Sequence, residues 1–287
     1  MRLAAQAFAK VNRSLVVLGR RPDGFHELDT VFQAVGLCDR LTFEPADGLT
    51  LEVDDPSVPS GAENLVVRAA WALAAAAGVA ARAAITLEKR IPSGGGLGGG
   101  SSDAAVALLG LDALWRLGLP LDRLAAIGAT LGSDVPFFLF GGTARGLGRG
   151  ERVEPLPDLP PRGVVLVMPP FPVATPLVFG RLGAPEWDGS APEREEGGVP
   201  DRNDLEPAAE ALFPALRAVR ESLAAAGAEQ ARLSGSGSTV FGLFPDPGAA
   251  SEAARRLAGL PAGAAVRVVP TLDRGECRLR SAPRRAE

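Results

Sequence analysis

The chain has 287 residues, 46% of them hydrophobic and 22% charged, enough for about two domains with real cores and not a composition for wholesale disorder. A net charge of −4 argues against a nucleic-acid binder, and the longest uncharged apolar run, between Arg68 and Arg82, is shorter than the roughly 20 residues that cross a membrane. The first residues, MRLAAQAFAKVNRS, place Gln6, Lys10, Asn12 and Arg13 where a signal peptide needs an apolar core, and Cys38 and Cys277 have no metal-type spacing, so a cytoplasmic protein is expected.

Residues 3–18 alternate enough to predict strands, and LTFEPADGLTLEV reads as a hairpin turning at Asp47-Gly48. Asn64 caps a predicted helix through LVVRAAWALAAAAG that stops at Gly78, and AAITLEKRI reads as a strand. After the glycine-rich IPSGGGLGGGSSDAA at 91–105, a buried helix runs through Leu108, Leu109 and Trp115 and ends by Gly118 and Pro120; LDRLAAIGATLG supplies another. VEPLPDLPPRG reads as a linker, which places one domain at 1–155 and a second at 163–287. The second opens with the strand VVLVMPP and continues with helices near 205–227 and 248–258 and strands near 231, 240 and 265. Residues 183–203, rich in Gly, Pro and acids, are expected to form a mobile surface loop, and RGECRLRSAPRRAE a solvated basic tail. No internal repeat is visible.

The segment 94–100 holds six glycines in seven positions, set between a predicted strand ending at Ile91 and a predicted helix. Pro92 fixes the exit, the glycines let backbone approach a ligand, and Ser101, Ser102 and Asp103 sit where an N-cap and first turn belong. Free amides and the positive end of a helix dipole make such a turn an anion site, with a flexible glycine loop as the plain alternative. The segment lacks the Gly-Lys-Ser/Thr of a P-loop. Its Gly-x-Gly-x-x-Gly is misplaced for a Rossmann fold, because the downstream acid Asp112 falls inside the helix.

Other residues carry open readings. The chain has two lysines, Lys10 and Lys89, against 28 arginines, which marks positions where the Arg fork will not serve. Lys10 reads as a strand lysine or an active-site cation, and Lys89 as a strand end or a nucleotide contact. Asp134 lies at the lip of the apolar VPFFLF, either as a turn or cap aspartate or as a base. His26, the single histidine, follows a Pro22-Asp23-Gly24 turn beside Phe25; a ring and an imidazole suit a pyrimidine, although a lone histidine is more often structural. Arg145 and Arg149 read as a solvated turn or as cations that help neutralise phosphate.

The segment resembles the Pro-x-x-x-Gly-Leu-Gly-x-x-Ser phosphate loop of the GHMP kinases, the superfamily of galactokinase, homoserine kinase and mevalonate kinase. The resemblance extends, in order, through AKVNRSLVVLGRRPDGFHELDTVFQ, GSDVPFF at 132–138, ATPLVF at 174–179, RNDLEP at 202–207 and ARLSGSGSTVFGLF at 231–244, from about residue 7 to residue 244. DGFHEL sets it apart from the mevalonate, homoserine and sugar kinases and is similar to the branch that acts on a cytidine diphosphate-linked methylerythritol.

That resemblance implies an α+β protein with two domains, an N-terminal one like ribosomal protein S5 domain 2 and a C-terminal ferredoxin-like one, with the active site in the cleft between them. It implies two small-molecule substrates, ATP and the cytidyl alcohol, with Mg2+ accompanying ATP, no legible protein ligand for the metal, and neither nucleic acid nor membrane as partner. Catalysis falls to Asp134 as base and Lys10 as its orienting cation. ATP falls to Pro92, Gly94, Gly95, Gly96, Leu97, Gly98, Gly99, Gly100, Ser101 and Ser102, with Gly98 expected at the closest approach to the phosphates. The cytidyl substrate falls to Asn12, Phe25, His26, Thr175 and Phe179, and to Gly235, Ser236 and Gly237 in the second glycine turn. Phe25 departs from the tyrosine common in the family, so stacking is kept and any contact from a ring hydroxyl is lost.

Overall fold

The computed structural model describes residues 2–190 and 201–286. Two antiparallel-rich sheets, each covered by helices, meet along one long hairpin of the larger sheet. That hairpin is β1 (Leu3–Arg20) and β2 (His26–Glu44), which pair antiparallel from Leu3↔Phe43 to Arg20↔His26 with register shifts after Phe8, Asn12 and Val17. The shifts re-aim side chains along β1, and they flank the stretch that bears Lys10 and Asn12.

The larger sheet runs β11-β1-β2-β4-β3, with β5 and β6 as an extra hairpin on β2. β3 is Leu49–Val53, β4 Ala83–Glu88, β5 Thr143–Gly148, β6 Arg152–Pro155 and β11 Arg284–Arg285. The hairpin expected at Asp47-Gly48 is absent: β3 pairs parallel with β4, which lies between it and β2. The turn chemistry is local, but the crossover α1 (Leu65–Ala77) between β3 and β4 decides the pairing. α1 starts and stops as expected, with the Asn64 side chain accepting the Val66 N–H and Gly78 left-handed at its end. Against this sheet pack α1, α2 (Gly99–Trp115) and α4 (Val135–Phe140), with α3 (Leu121–Leu131) against those helices, sealing a core that includes Phe43, Leu73, Ile85, Leu108 and Phe137.

The smaller sheet has the order β10-β7-β9-β8, from β7 (Gly163–Met168), β8 (Gln230–Leu233), β9 (Val240–Phe244) and β10 (Ala265–Pro270). Three helices, α5 (Thr175–Leu182), α6 (Glu206–Leu212) and α7 (Ala215–Ala225), separate β7 from β8, and α8 (Pro247–Arg256) separates β9 from β10. This βαββαβ order is the ferredoxin-like arrangement. Leu15 of β1 belongs to its apolar core beside Val165, Val178 and Leu223, so the long hairpin reaches from one half into the other.

The chain passes between the sheets at 156–162 and returns: Leu272 N–H donates to Ala34 O, and α9 (Arg274–Ser281) packs on β1. The basic tail is therefore docked as a helix and a short strand, while Arg278, Arg280, Arg284 and Arg285 stay exposed as a solvated tail would leave them. A capping box at Asp273 and Glu276 starts α9, Arg280 stacks over Phe8 at 4.7 Å, and β11 pairs with Leu3 and Ala4. Of the loop expected at 183–203, residues 191–200 lie outside the described residues. Its described ends are tied to β1, with Trp187 N–H donating to Arg20 O and Leu15 N–H to Arg202 O. No helix among the described residues is long and apolar enough to cross a membrane.

Candidate active site

A cleft of about 960 Å³ opens between the two halves. Its floor is Lys10, only 4% exposed, whose backbone N–H donates to Leu97 O at 3.0 Å. The Lys10 ammonium donates to Asn12 Oδ1 at 2.6 Å and to Gly96 O at 2.9 Å, and stands 3.4 Å from Asp134 Oδ2. Asn12 in turn donates to Thr30 Oγ1 at 2.8 Å, and Thr30 to Ser14 O, so the cation is held by a connected buried network on β1 and β2.

Asp134 precedes α4 but makes no side-chain hydrogen bond to that helix, which removes the capping reading. Its carboxylate faces Lys10 and stays about one-third exposed, open to a ligand in the cleft. A buried cation and a reachable carboxylate at this distance can orient a hydroxyl and accept its proton.

Gly94 to Ser101 line one wall of the cleft, together with Pro92. The loop is fixed at several points: Gly96 O accepts from Lys10 and from Ser234 Oγ (2.9 Å each), and Gly95 O accepts from Thr239 N–H at 3.1 Å. Gly98 is left-handed (φ 72°) where α2 begins, so the first amides of α2 face the cleft with the positive end of the helix dipole. The reason for glycine at 98 differs from the expected one. A Cβ there would lie 2.6 Å from Phe138 Cζ and 3.2 Å from Lys10 Cε, so protein rather than phosphate fills the space. Gly100 is the cleaner probe, since its Cβ would meet only Leu65 Cδ1 at 3.7 Å. Gly100→Val is expected to keep the fold and weaken ATP binding by about tenfold or more in calorimetry; unchanged affinity would remove the nucleotide from this loop.

The opposite end of the cleft is aromatic. The His26 ring stacks on Phe179 of α5 with centroids 4.7 Å apart, and Phe25 is half exposed beside them. Burial, and then the charge of Arg20, push the His26 pKa below its usual range, which favours the neutral imidazole with one donor and one acceptor. Thr175, Gly235 and Ser236 complete this side, with Thr175 Oγ1 and Ser236 Oγ 2.8 Å apart. A Cβ on Gly235 would reach Asn12 Oδ1 at 3.4 Å, so the second glycine turn abuts the Lys10 network. Asn203 of the RNDLEP motif holds that turn by donating to Leu233 O and Gly235 O.

Two expected contacts do not line the cleft. Ser102 is buried within α2, its N–H spent on Gly98 O, and Gly237 closes its own turn by donating to Ser234 O while packing on Leu233. Two arginines divide where one reading covered both. Arg145 is bound by Asp29 through two hydrogen bonds, at 2.7 and 2.6 Å, whereas Arg149 lines the cleft over the Phe25 ring at 4.7 Å. Its neighbour Gly150 lies near Asp134, where a Cβ would come within 3.8 Å of Oδ1. The single signal for Arg149 in the sequence is a cation in a glycine-rich turn.

The family models described as GHMP kinases N terminal domain and GHMP kinases C terminal match residues 64–142 and 194–261. A protein of Pelotomaculum thermopropionicum named 4-diphosphocytidyl-2-C-methyl-D-erythritol kinase is 46% identical over 89% of this chain and 94% of its own length. The chain belongs to the 4-diphosphocytidyl-2-C-methyl-D-erythritol kinase family of GHMP kinases. A Moorella thermoacetica protein of the same name is 44% identical over 89% of this chain and 93% of its own length. A solved 4-(cytidine 5'-diphospho)-2C-methyl-D-erythritol kinase is 42% identical and superposes with a TM-score of 0.76 over 93% of this chain and 98% of that one. Homoserine kinase from Cytophaga hutchinsonii, 19% identical with a TM-score of 0.68, shares the fold of this GHMP kinase over 94% of this chain and 95% of its own.

Proposed function

We propose that this kinase transfers the γ-phosphoryl group of ATP to the 2-hydroxyl of 4-diphosphocytidyl-2-C-methyl-D-erythritol, a step of non-mevalonate isoprenoid synthesis in the cytoplasm. The observation that carries the reading is the Lys10–Asp134 pair, 3.4 Å apart, in one cleft with a glycine-rich helix N-terminus on one side and His26, Phe179 and Phe25 on the other. The phosphates of ATP fit the amides of α2, and the cytosine fits the aromatic end, where the neutral His26 meets its polar edge. Asp134 accepts the proton of the 2-hydroxyl as its oxygen bonds to phosphorus and the bond to the ADP oxygen breaks. Lys10 holds Asp134 in place and offsets the charge spread over the transferred group. Magnesium enters on the phosphates of ATP as part of the nucleotide substrate, which suits a cation that keeps waters and takes few protein ligands. The split into parts at 1–155 and 163–287 belongs to this reading, with α9 and β11 returning to the first part.

A coupled ADP-release assay with the cytidyl alcohol, mevalonate, homoserine and galactose as acceptors tests the proposal. Turnover with the cytidyl alcohol alone is expected, and preference for any of the others overturns it. His26→Ala is expected to raise the Michaelis constant for the cytidyl substrate by about 5- to 150-fold, the equivalent of losing roughly 1 to 3 kcal/mol of polar contact, with that for ATP little changed. Equal effects on both would make His26 a packing residue.

A further inference from the structure

Three buried charges that the chemistry above does not use lie behind the phosphate loop. The Lys89 ammonium donates to Asp39 Oδ2 at 2.5 Å and to Asp103 Oδ2 at 2.7 Å, and the three side chains are 6%, 0% and 3% exposed. Each comes from a different segment: Asp39 from β2, Lys89 from the exit of β4, Asp103 from the first turns of α2. Asp39 Oδ1 also accepts the backbone N–H groups of Arg90 and Ile91, where the chain leaves β4 for the loop. A Cβ on Gly99 would come within 3.4 Å of Lys89 Nζ and 2.9 Å of Ile91 Cγ2, so the cluster sits directly beneath the first residue of α2.

Both ends of the glycine-rich loop thus meet at one point. The loop loses more backbone freedom on ordering than any other composition would, and its far side is tied through the carbonyls of Gly95, Gly96 and Leu97. Anchoring alone needs one carboxylate per ammonium; a second leaves an unmatched buried negative charge, which is unfavourable. Asp103 shows the imbalance. Burial, opposed by Lys89 and reinforced by Asp39, pushes its carboxyl up to about 7, and its Oδ1 has no hydrogen-bond partner among the described residues.

We propose that Lys89, Asp39 and Asp103 are positioning residues for the nucleotide, a buried clamp that joins the two ends of the phosphate loop and sets where the amides of α2 point. This rests on reading the cleft as a kinase site. The clamp touches no reacting atom. It acts on nucleotide affinity, and it carries a pH dependence, because the charged groups facing Asp103 are Lys89 and Asp39 and the cluster gains a negative charge beneath an anion site as pH rises through neutrality. The folded carboxyl binds its proton more tightly than the unfolded one, whose value is near 3.8, so Asp103 contributes less stability as pH rises from 4 towards 7.

The test uses the intact enzyme with ADP binding by calorimetry, which needs no acceptor substrate, alongside both Michaelis constants; wild-type turnover of the cytidyl alcohol checks the kinase reading separately. Asp103→Ala cuts one tie to Lys89 and is expected to weaken ADP by about tenfold or more, with the Michaelis constant for the cytidyl substrate within about twofold. Asp103→Asn keeps an oxygen acceptor for Lys89 and loses the titration. It is expected to restore ADP affinity at pH 6, to melt no lower than wild type at pH 8, and to lack the loss of about threefold or more that wild type shows between those values. ADP binding by Asp103→Ala within twofold of wild type overturns the clamp, as does an equal rise in both Michaelis constants. Should Asp103→Ala fail to fold, an Asp103→Asn profile that follows wild type from pH 6 to 8 overturns it equally.

Discussion

Asp134→Asn is expected to lower turnover by about 10² to 10⁴, the usual contribution of a positioned acid or base, or roughly 3 to 5 kcal/mol of barrier. The asparagine keeps the size of the side chain, and because Asp134 makes no capping bond to α4, little stability is at stake in the change. Both substrates should still bind. Lys10→Ala alone should be costly twice over, since the ammonium serves Asn12 and Gly96 as well as Asp134. On the Asp134→Asn background it should cost less than alone, because the carboxylate it orients is already gone. Lys10→Arg should not rescue: the ammonium fits among three acceptors with Phe32 5.6 Å away, a space without room for a planar fork. Single-turnover kinetics settle the matter, and an Asp134→Asn enzyme with more than about a tenth of wild-type turnover would exclude the base.

Gly96→Ala is expected to cost about a hundredfold in turnover through a methyl group that touches neither substrate. Gly96 has φ 76°, and a Cβ there would collide with the Ser234 carbonyl, backbone against backbone. An alanine held left-handed costs roughly 1 to 2 kcal/mol by itself, and the collision adds a shift of the loop away from the second glycine turn. That shift moves the carbonyl that accepts from both Lys10 and Ser234, and with it the ammonium facing Asp134. Steady-state kinetics and a melting curve read the two effects separately. Turnover within threefold of wild type would mean that the two glycine loops need no fixed contact for the reaction.

The parts of the proposed site that lie in contiguous stretches are the ones the sequence marks: the glycine run before a helix, Lys10 and Asn12 on the first strand, Phe25-His26 after a turn, Asp134 before an apolar run. The missing parts belong to partners far apart in the chain. Nothing local marks Asp39 as the partner of Lys89, 50 residues on, because β4 reaches β2 only through the crossover that also overrode the Asp47-Gly48 turn. Arg149 and Arg145 look alike in GGTARGLGRGE, and only the pairing of β5 with β2 sends one to Asp29 and leaves the other over Phe25. Asn203 was part of a recognised motif, yet its task, holding the Gly235 turn, is visible only once β8 lies beside it.

The return of α9 and β11 to the first strand has a consequence for how the protein is made. Leu3 and Ala4 find their partners at Arg285 and Arg284, the strand pairing most distant in sequence among the described residues, so this flank of the larger sheet stays unpaired until that distal segment has been made. Such a flank is a template for a neighbouring nascent chain, and contacts this distant in sequence form slowly. Gln6 on this flank later accepts from Arg280 of α9, and a polar group of this kind discourages premature pairing between chains until the distal segment arrives.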